Sequence, residues 1–135
     1  MLPKDHLIIA IDFDGTIVED AYPQIGSPKL FAFETLKELQ KDGHRLILWT
    51  YRNGERLQEA VDFCTKKGIN FYAVNKNYPE EKFQGKVSRK FHADLFIDDR
   101  NVGGMLGWGE IYKLIKNNPD ANLPLPKKKK WHWPF

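Results

Sequence analysis

Cysteine is almost absent from this chain of 135 residues: Cys64 stands alone, so no internal disulfide can form, in keeping with a reducing compartment. Histidine is scarce as well. His6, His44, His92 and His132 show no metal-ligand spacing, which argues against a zinc site. Long apolar runs are missing: the strongest early stretch, 7–13, is interrupted by Asp12 and is far too short to span a bilayer. No small-residue cleavage site follows it, so a cytoplasmic protein without membrane attachment is expected. Gly103, Gly104 and Gly107 do not form a dinucleotide fingerprint, which would have to follow the first strand, and Trp108 beside them reads as a packing residue. Neither an internal repeat nor a low-complexity domain is visible. The net charge of +3 is concentrated in Lys127, Lys128, Lys129 and Lys130; without that run the chain is close to neutral, so nucleic acid is not indicated as a partner.

What remains is the balance of an ordinary globular domain, 41% hydrophobic and 29% charged, of a length that buries one core but not two. The β-branched apolar run 7–11 reads as a strand covered on both faces, the kind found in parallel sheets. Shorter runs follow at 45–49, 71–74 and 94–97. Between them, Ala32, Leu36 and Leu39 recur at helical spacing and stop at Gly43, while Leu57, Ala60, Val61 and Cys64 repeat on one helical face and stop at Gly68. Trp108, Ile111 and Ile115 mark a last helix that ends before Pro119. This alternation predicts an α/β, three-layer Rossmann-like fold with a mostly parallel sheet. A domain over 1–120 is followed by a tail over 121–135 rich in proline, lysine and aromatics, where the pattern breaks.

Ligands of open parallel sheets bind beyond the carboxyl ends of the strands. All four such ends here are polar: Asp12 to Thr16, Thr50 to Arg52, Asn75 to Asn77, and Asp98 to Asn101. Two of them carry paired carboxylates. Asp12 and Asp14 lie two residues apart and can turn to one side of the chain, and Gly15 permits a tight turn that lets a ligand come close. Asp98 and Asp99 would face them across a cleft. Such carboxylates repel by roughly 4 kcal/mol per pair at ~4 Å and an effective dielectric of ~20. A divalent cation is therefore expected, and an all-oxygen site favours Mg²⁺, which completes its shell with water and substrate phosphate oxygens. At least one basic side chain is needed beside the phosphate.

Ile9 to Ile17, carrying Asp12-Phe13-Asp14-Gly15-Thr16, resembles the DxDGT signature of the haloacid dehalogenase superfamily of phosphohydrolases. The apolar strand ending in Thr50 resembles that superfamily's second motif, and the strand ending in Asp98-Asp99 its fourth. The three occur in the same order and span nearly the whole globular part. The resemblance implies a phosphatase working through an aspartyl-phosphate: Asp12 as nucleophile, and Asp14 as general acid and then base, its carbonyl offered to the metal. Thr50 would hold a phosphoryl oxygen, and Asp98 and Asp99 would complete the Mg²⁺ site. Gly15 and Thr16, as part of the signature loop, would lie against the substrate. A lysine that steadies nucleophile and phosphate is expected at Lys90, with Lys86 open as the alternative. Neither interval between the motifs has room for a cap domain. Only a small flap around 18–28 could cover the cleft, which suits a large phosphorylated substrate, or a small one enclosed by a neighbouring subunit of a homo-oligomer.

Arg52 is expected either to bind a substrate phosphate or carboxylate bidentately or to be a solvated arginine at a helix start. Asn75 and Asn77 read as loop residues, and Cys64 as core. Phosphotransfer to an acceptor other than water uses the same residues, and a non-catalytic module of the same fold is the competing class; the intact carboxylate set argues against the latter. A receiver-type phosphoacceptor is rejected, because its aspartate should end the third strand, where Asn75 stands.

Overall fold

The computed structural model describes residues 6–76, 79–80 and 92–117. Among them, strands and helices alternate: β1 (Ile8–Ile11), α1 (Ala32–Lys41), β2 (Arg45–Leu48), α2 (Gly54–Lys66), β3 (Ala73–Val74), β4 (Leu95–Ile97) and α3 (Trp108–Lys116). The four strands form one sheet in the order β3-β2-β1-β4, and every pairing is parallel. This is the expected Rossmann-like α/β fold. The first two crossovers carry the chain outward from β1 to β3, and the next strand returns to the other side of β1. The reversal leaves a crevice at the carboxyl ends of β1 and β4, the place where open α/β sheets bind ligands.

β1 is apolar throughout because it is an inner strand with cover on both faces: Ile9, Ala10 and Ile11 are buried. Strand alternation sends Ile9, Ile11, Leu46, Leu48 and Ile97 to one face, where they join the core with Phe13, Leu36, Leu39, Cys64, Trp108 and Ile115. Each fully buried Leu or Ile contributes roughly 1.5–3 kcal/mol by leaving water. The opposite face carries Ala10, Ile47, Ala73 and Phe96.

The helices end close to the expected positions. α1 stops ahead of Gly43, which takes the left-handed φ of 96° that a helix stop of this kind needs. Cys64 lies on the buried face of α2, and burial pushes its thiol up to about 12, as befits a core residue. The third strand is shorter than the run 71–74, because it pairs with β2 alone and only over Ala73 and Val74. Between β1 and α1, the chain folds into a small flap pinned by bridges from Val18 to Asp14 and to Pro28. Among the described residues, no second unit interrupts the interval between β1 and β2, and no cap is indicated there. Among the described residues, no helix is long and apolar enough to cross a membrane. Asn77, Lys86, Lys90 and the segment 121–135 lie outside the described residues.

Candidate active site

Each strand end delivers its polar residue to one place because parallel strands in register finish together. Asp12 follows β1, its backbone N–H donating to the Ile97 carbonyl on β4 at 3.0 Å. That bond sets Asp12 beside Asp98 and Asp99. One carboxylate oxygen from each of the three lies within 4.8 Å of the others, and all three residues are half-buried. Three such charges so close together are strained without a cation.

The strain is visible at Asp12, whose carboxyl is pushed up to about 6. Burial is the first cause, and the charges of Asp98 and Asp99 add to it. The Phe13 N–H and the Thr16 hydroxyl oppose it. The donor set is all oxygen and compact, which fits a hard divalent cation.

Thr16 is tied to this cluster rather than exposed to a substrate. It is fully buried, accepts a hydrogen bond from the Asp99 backbone N–H at 3.0 Å, and its hydroxyl faces Asp12 Oδ2 at 3.2 Å and Asp99 Oδ1 at 3.1 Å. With a single proton, that hydroxyl serves one carboxylate at a time. The Thr16 hydroxyl thus braces two carboxylates. Gly15 is shaped by the same cluster. At φ 84° a Cβ there would stand 2.5 Å from Asp99 Oδ2, and the Gly15 N–H donates to the Val18 carbonyl. The missing side chain makes room for Asp99.

Asp14 points away from the triad. Its two oxygens accept from Arg52 Nε at 2.8 Å and Nη2 at 2.7 Å, a bidentate pair in which the arginine side chain has no exposed surface. The remaining Arg52 donors reach the carbonyls of Pro23, Gln24 and Arg56, at 3.2, 2.8 and 3.4 Å. All five N–H groups are thereby engaged, and the guanidinium lies over the rings of Phe13 and Tyr22. Arg52 is not the solvated arginine of a helix start, and in this arrangement its donors are all taken by the protein. Its position is internal because the flap folds over it.

Thr50 stands at the rim after β2. Its backbone N–H donates to Asn75 Oδ1 at 2.8 Å, and its hydroxyl oxygen accepts from the Arg52 N–H at 3.2 Å. The hydroxyl oxygen thus serves as an acceptor, leaving its proton for an oxygen anion in the cleft. Asn75, which reads as a loop residue, holds Thr50 in place from a left-handed backbone conformation, φ 54°; asparagine's tolerance of that region is the one sequence signal that pointed to it. Asp98 closes its own turn, Oδ1 accepting from the Arg100 N–H at 2.9 Å and its carbonyl accepting from Asn101 Nδ2 at 2.7 Å. Trp108 was missed as a support: its indole N–H donates to the Thr16 carbonyl at 2.9 Å, and no spacing in the sequence could have revealed this.

The raised carboxyl of Asp12 yields a pH prediction. Cation binding requires Asp12 deprotonated, so metal affinity should be level above about pH 6 and weaken as pH falls through that value. The fall approaches about tenfold per pH unit, one proton being displaced. Calorimetry with Mg²⁺ at pH 5, 6 and 7.5 checks it; an affinity that does not change between pH 7.5 and 5 refutes it.

No family model and no curated protein matches the chain. Among solved structures, a conserved protein coded by a locus from Bacteroides thetaiotaomicron is similar, with 60% identity, a TM-score of 0.77, and coverage of 83% of this chain and 91% of that one. At such identity over nearly the full length of both, the chain belongs to the same family as that Bacteroides protein.

Proposed function

We propose that this protein is a Mg²⁺-dependent phosphomonoester hydrolase that works through Asp12. The observation that carries the reading is the meeting of Asp12, Asp98 and Asp99, with oxygens within 4.8 Å of one another, at the switch point of a parallel sheet. Asp12, Asp98 and Asp99 would hold the cation, which supplies charge neutralisation and lets a phosphate dianion approach a carboxylate. In the first step an Asp12 oxygen attacks phosphorus, the ester P–O bond breaks, and the alcohol leaves with a proton from the Asp14 carboxyl. In the second, water attacks the same phosphorus and gives a proton back to Asp14, the bond from the Asp12 oxygen to phosphorus breaks, and inorganic phosphate departs. The Thr50 hydroxyl donates to a phosphoryl oxygen during both.

Asp14 is the residue two beyond the nucleophile, and its proton-transfer role requires its carboxylate to turn from Arg52 toward the leaving group. The resemblance of Asp12-Phe13-Asp14-Gly15-Thr16 and its partner motifs to the haloacid dehalogenase phosphohydrolases supports the same assignment. Lys90, or Lys86 in its place, would supply the remaining positive charge. The test is release of inorganic phosphate from a panel of nucleotide and sugar phosphomonoesters, with Mg²⁺ and with excess chelator. Turnover that requires Mg²⁺ is expected. Turnover that survives chelation would remove the metal from the reading, and absence of turnover across the panel would favour a binding module.

A further inference from the structure

Beyond the carboxylates, one contact spans the crevice. β2 and β4 are not neighbours; β1 lies between them, so they stand roughly 10 Å apart. Tyr51, just past β2, and Arg100, just past β4, nevertheless meet, the guanidinium lying 5.8 Å from the ring centroid. The pair therefore crosses the end of the strand that delivers Asp12. Tyr51 is 85% exposed, so its ring face is open to a ligand at the mouth of the crevice.

Both residues sit beside backbone held by hydrogen bonds. Tyr51 is flanked by Thr50, tied to Asn75, and by the buried Arg52. Arg100 donates its N–H to Asp98, in a turn that Asn101 also closes. An exposed ring and a guanidinium on fixed backbone at the mouth of an acidic site make a preorganised recognition element.

We infer that Tyr51 and Arg100 form a subsite for a planar ring carried on the phosphomonoester, as in a nucleoside monophosphate. The ring stacks on Tyr51, with the Arg100 guanidinium against its edge or face. This inference rests on the phosphatase reading for its catalytic readout, but not for its binding readout.

Two esters with the same leaving alkoxide separate the effects: adenosine 5′-monophosphate and ribose 5-phosphate differ by the base. With Mg²⁺, kcat/KM should favour the nucleotide by about tenfold or more, the size of one stacked base. Tyr51→Ala should collapse that ratio and Tyr51→Phe should keep it; the ring is so exposed that folding is not at issue. In metal-free protein, adenosine, which has no phosphate for the carboxylates to repel, should move the Tyr51 ring protons upfield in NMR spectra. Equal kcat/KM for the two esters, or a preference that survives Tyr51→Ala, overturns the subsite while leaving the phosphatase intact. If no ester turns over, the phosphatase reading falls, and the NMR titration decides the subsite: unmoved Tyr51 resonances overturn it.

Discussion

Asp12→Asn is expected to lower turnover by roughly 10⁴-fold or more, the scale seen when a nucleophile is removed, and at the same time to make the metal-free protein more stable. The two effects have one origin. Asp12 is a carboxylate held close to two others, and burial with their charges lifts its carboxyl from 3.8 to about 6. A folded-state value above the unfolded one means that protonation favours the fold. The stability tied to that proton is fully present below about pH 3.8 and is lost as pH rises through about 6. An asparagine, neutral at every pH, should therefore gain on the wild type above pH 6 and lose the advantage toward pH 3.8. With allowance for solvent screening of a half-buried group, the gain at pH 7 is about 1 kcal/mol, or about 4 °C in Tm. Saturating Mg²⁺ should reverse the order, since the metal stabilises only the protein that binds it. Thermal denaturation at pH 4 and 7.5, with and without Mg²⁺, tests this. A variant less stable than wild type in metal-free buffer at pH 7.5 would show that the three charges are not in conflict.

Removing Arg52 should do the most damage to the fold. Arg52→Met leaves the Asp14 carboxylate without its partner and the Pro23 and Gln24 carbonyls without donors, in a place the flap keeps from water. Breaking such a pair typically costs 3–5 kcal/mol; because Asp14 keeps some solvent contact, about 3 kcal/mol is expected. That is a large share of the roughly 5–15 kcal/mol that holds a domain together. Arg52→Lys should recover only a minor part, one ammonium being unable to serve five acceptor directions. Adding Asp14→Asn to Arg52→Met should return some of the loss by removing the stranded charge. Urea unfolding midpoints of the four proteins measure it. If Arg52→Lys unfolds with the wild type, the bidentate geometry contributes nothing.

The contrast between these residues shows what a sequence discloses. Asp12 and Asp98 were legible because each ends an apolar run, and parallel strands in register bring their ends together whatever the intervening chain does. Arg52 was not legible. Three of its five acceptors are backbone carbonyls, which leave no mark in the order of side chains, and an arginine opening a helix ordinarily faces water. The packing of Thr16 and Gly15 against Asp99 was not legible either, since a motif names residue types and not which of them face inward. The run 94–97 was read only as a short apolar strand, which did not show that Phe96 is 43% exposed and meets Trp49 edge to face. An edge strand has a side that the apolar count alone does not reveal.

The bond from the Trp108 indole to the Thr16 carbonyl, and that from the Thr35 hydroxyl to the Trp108 carbonyl, link two helices to the loop that braces the carboxylates. A remote lesion that tilts α3 would be felt as a loosened carboxylate cluster, with every acidic residue still in place. Inactive descendants of this chain should therefore be sought as much among altered tryptophans as among lost aspartates.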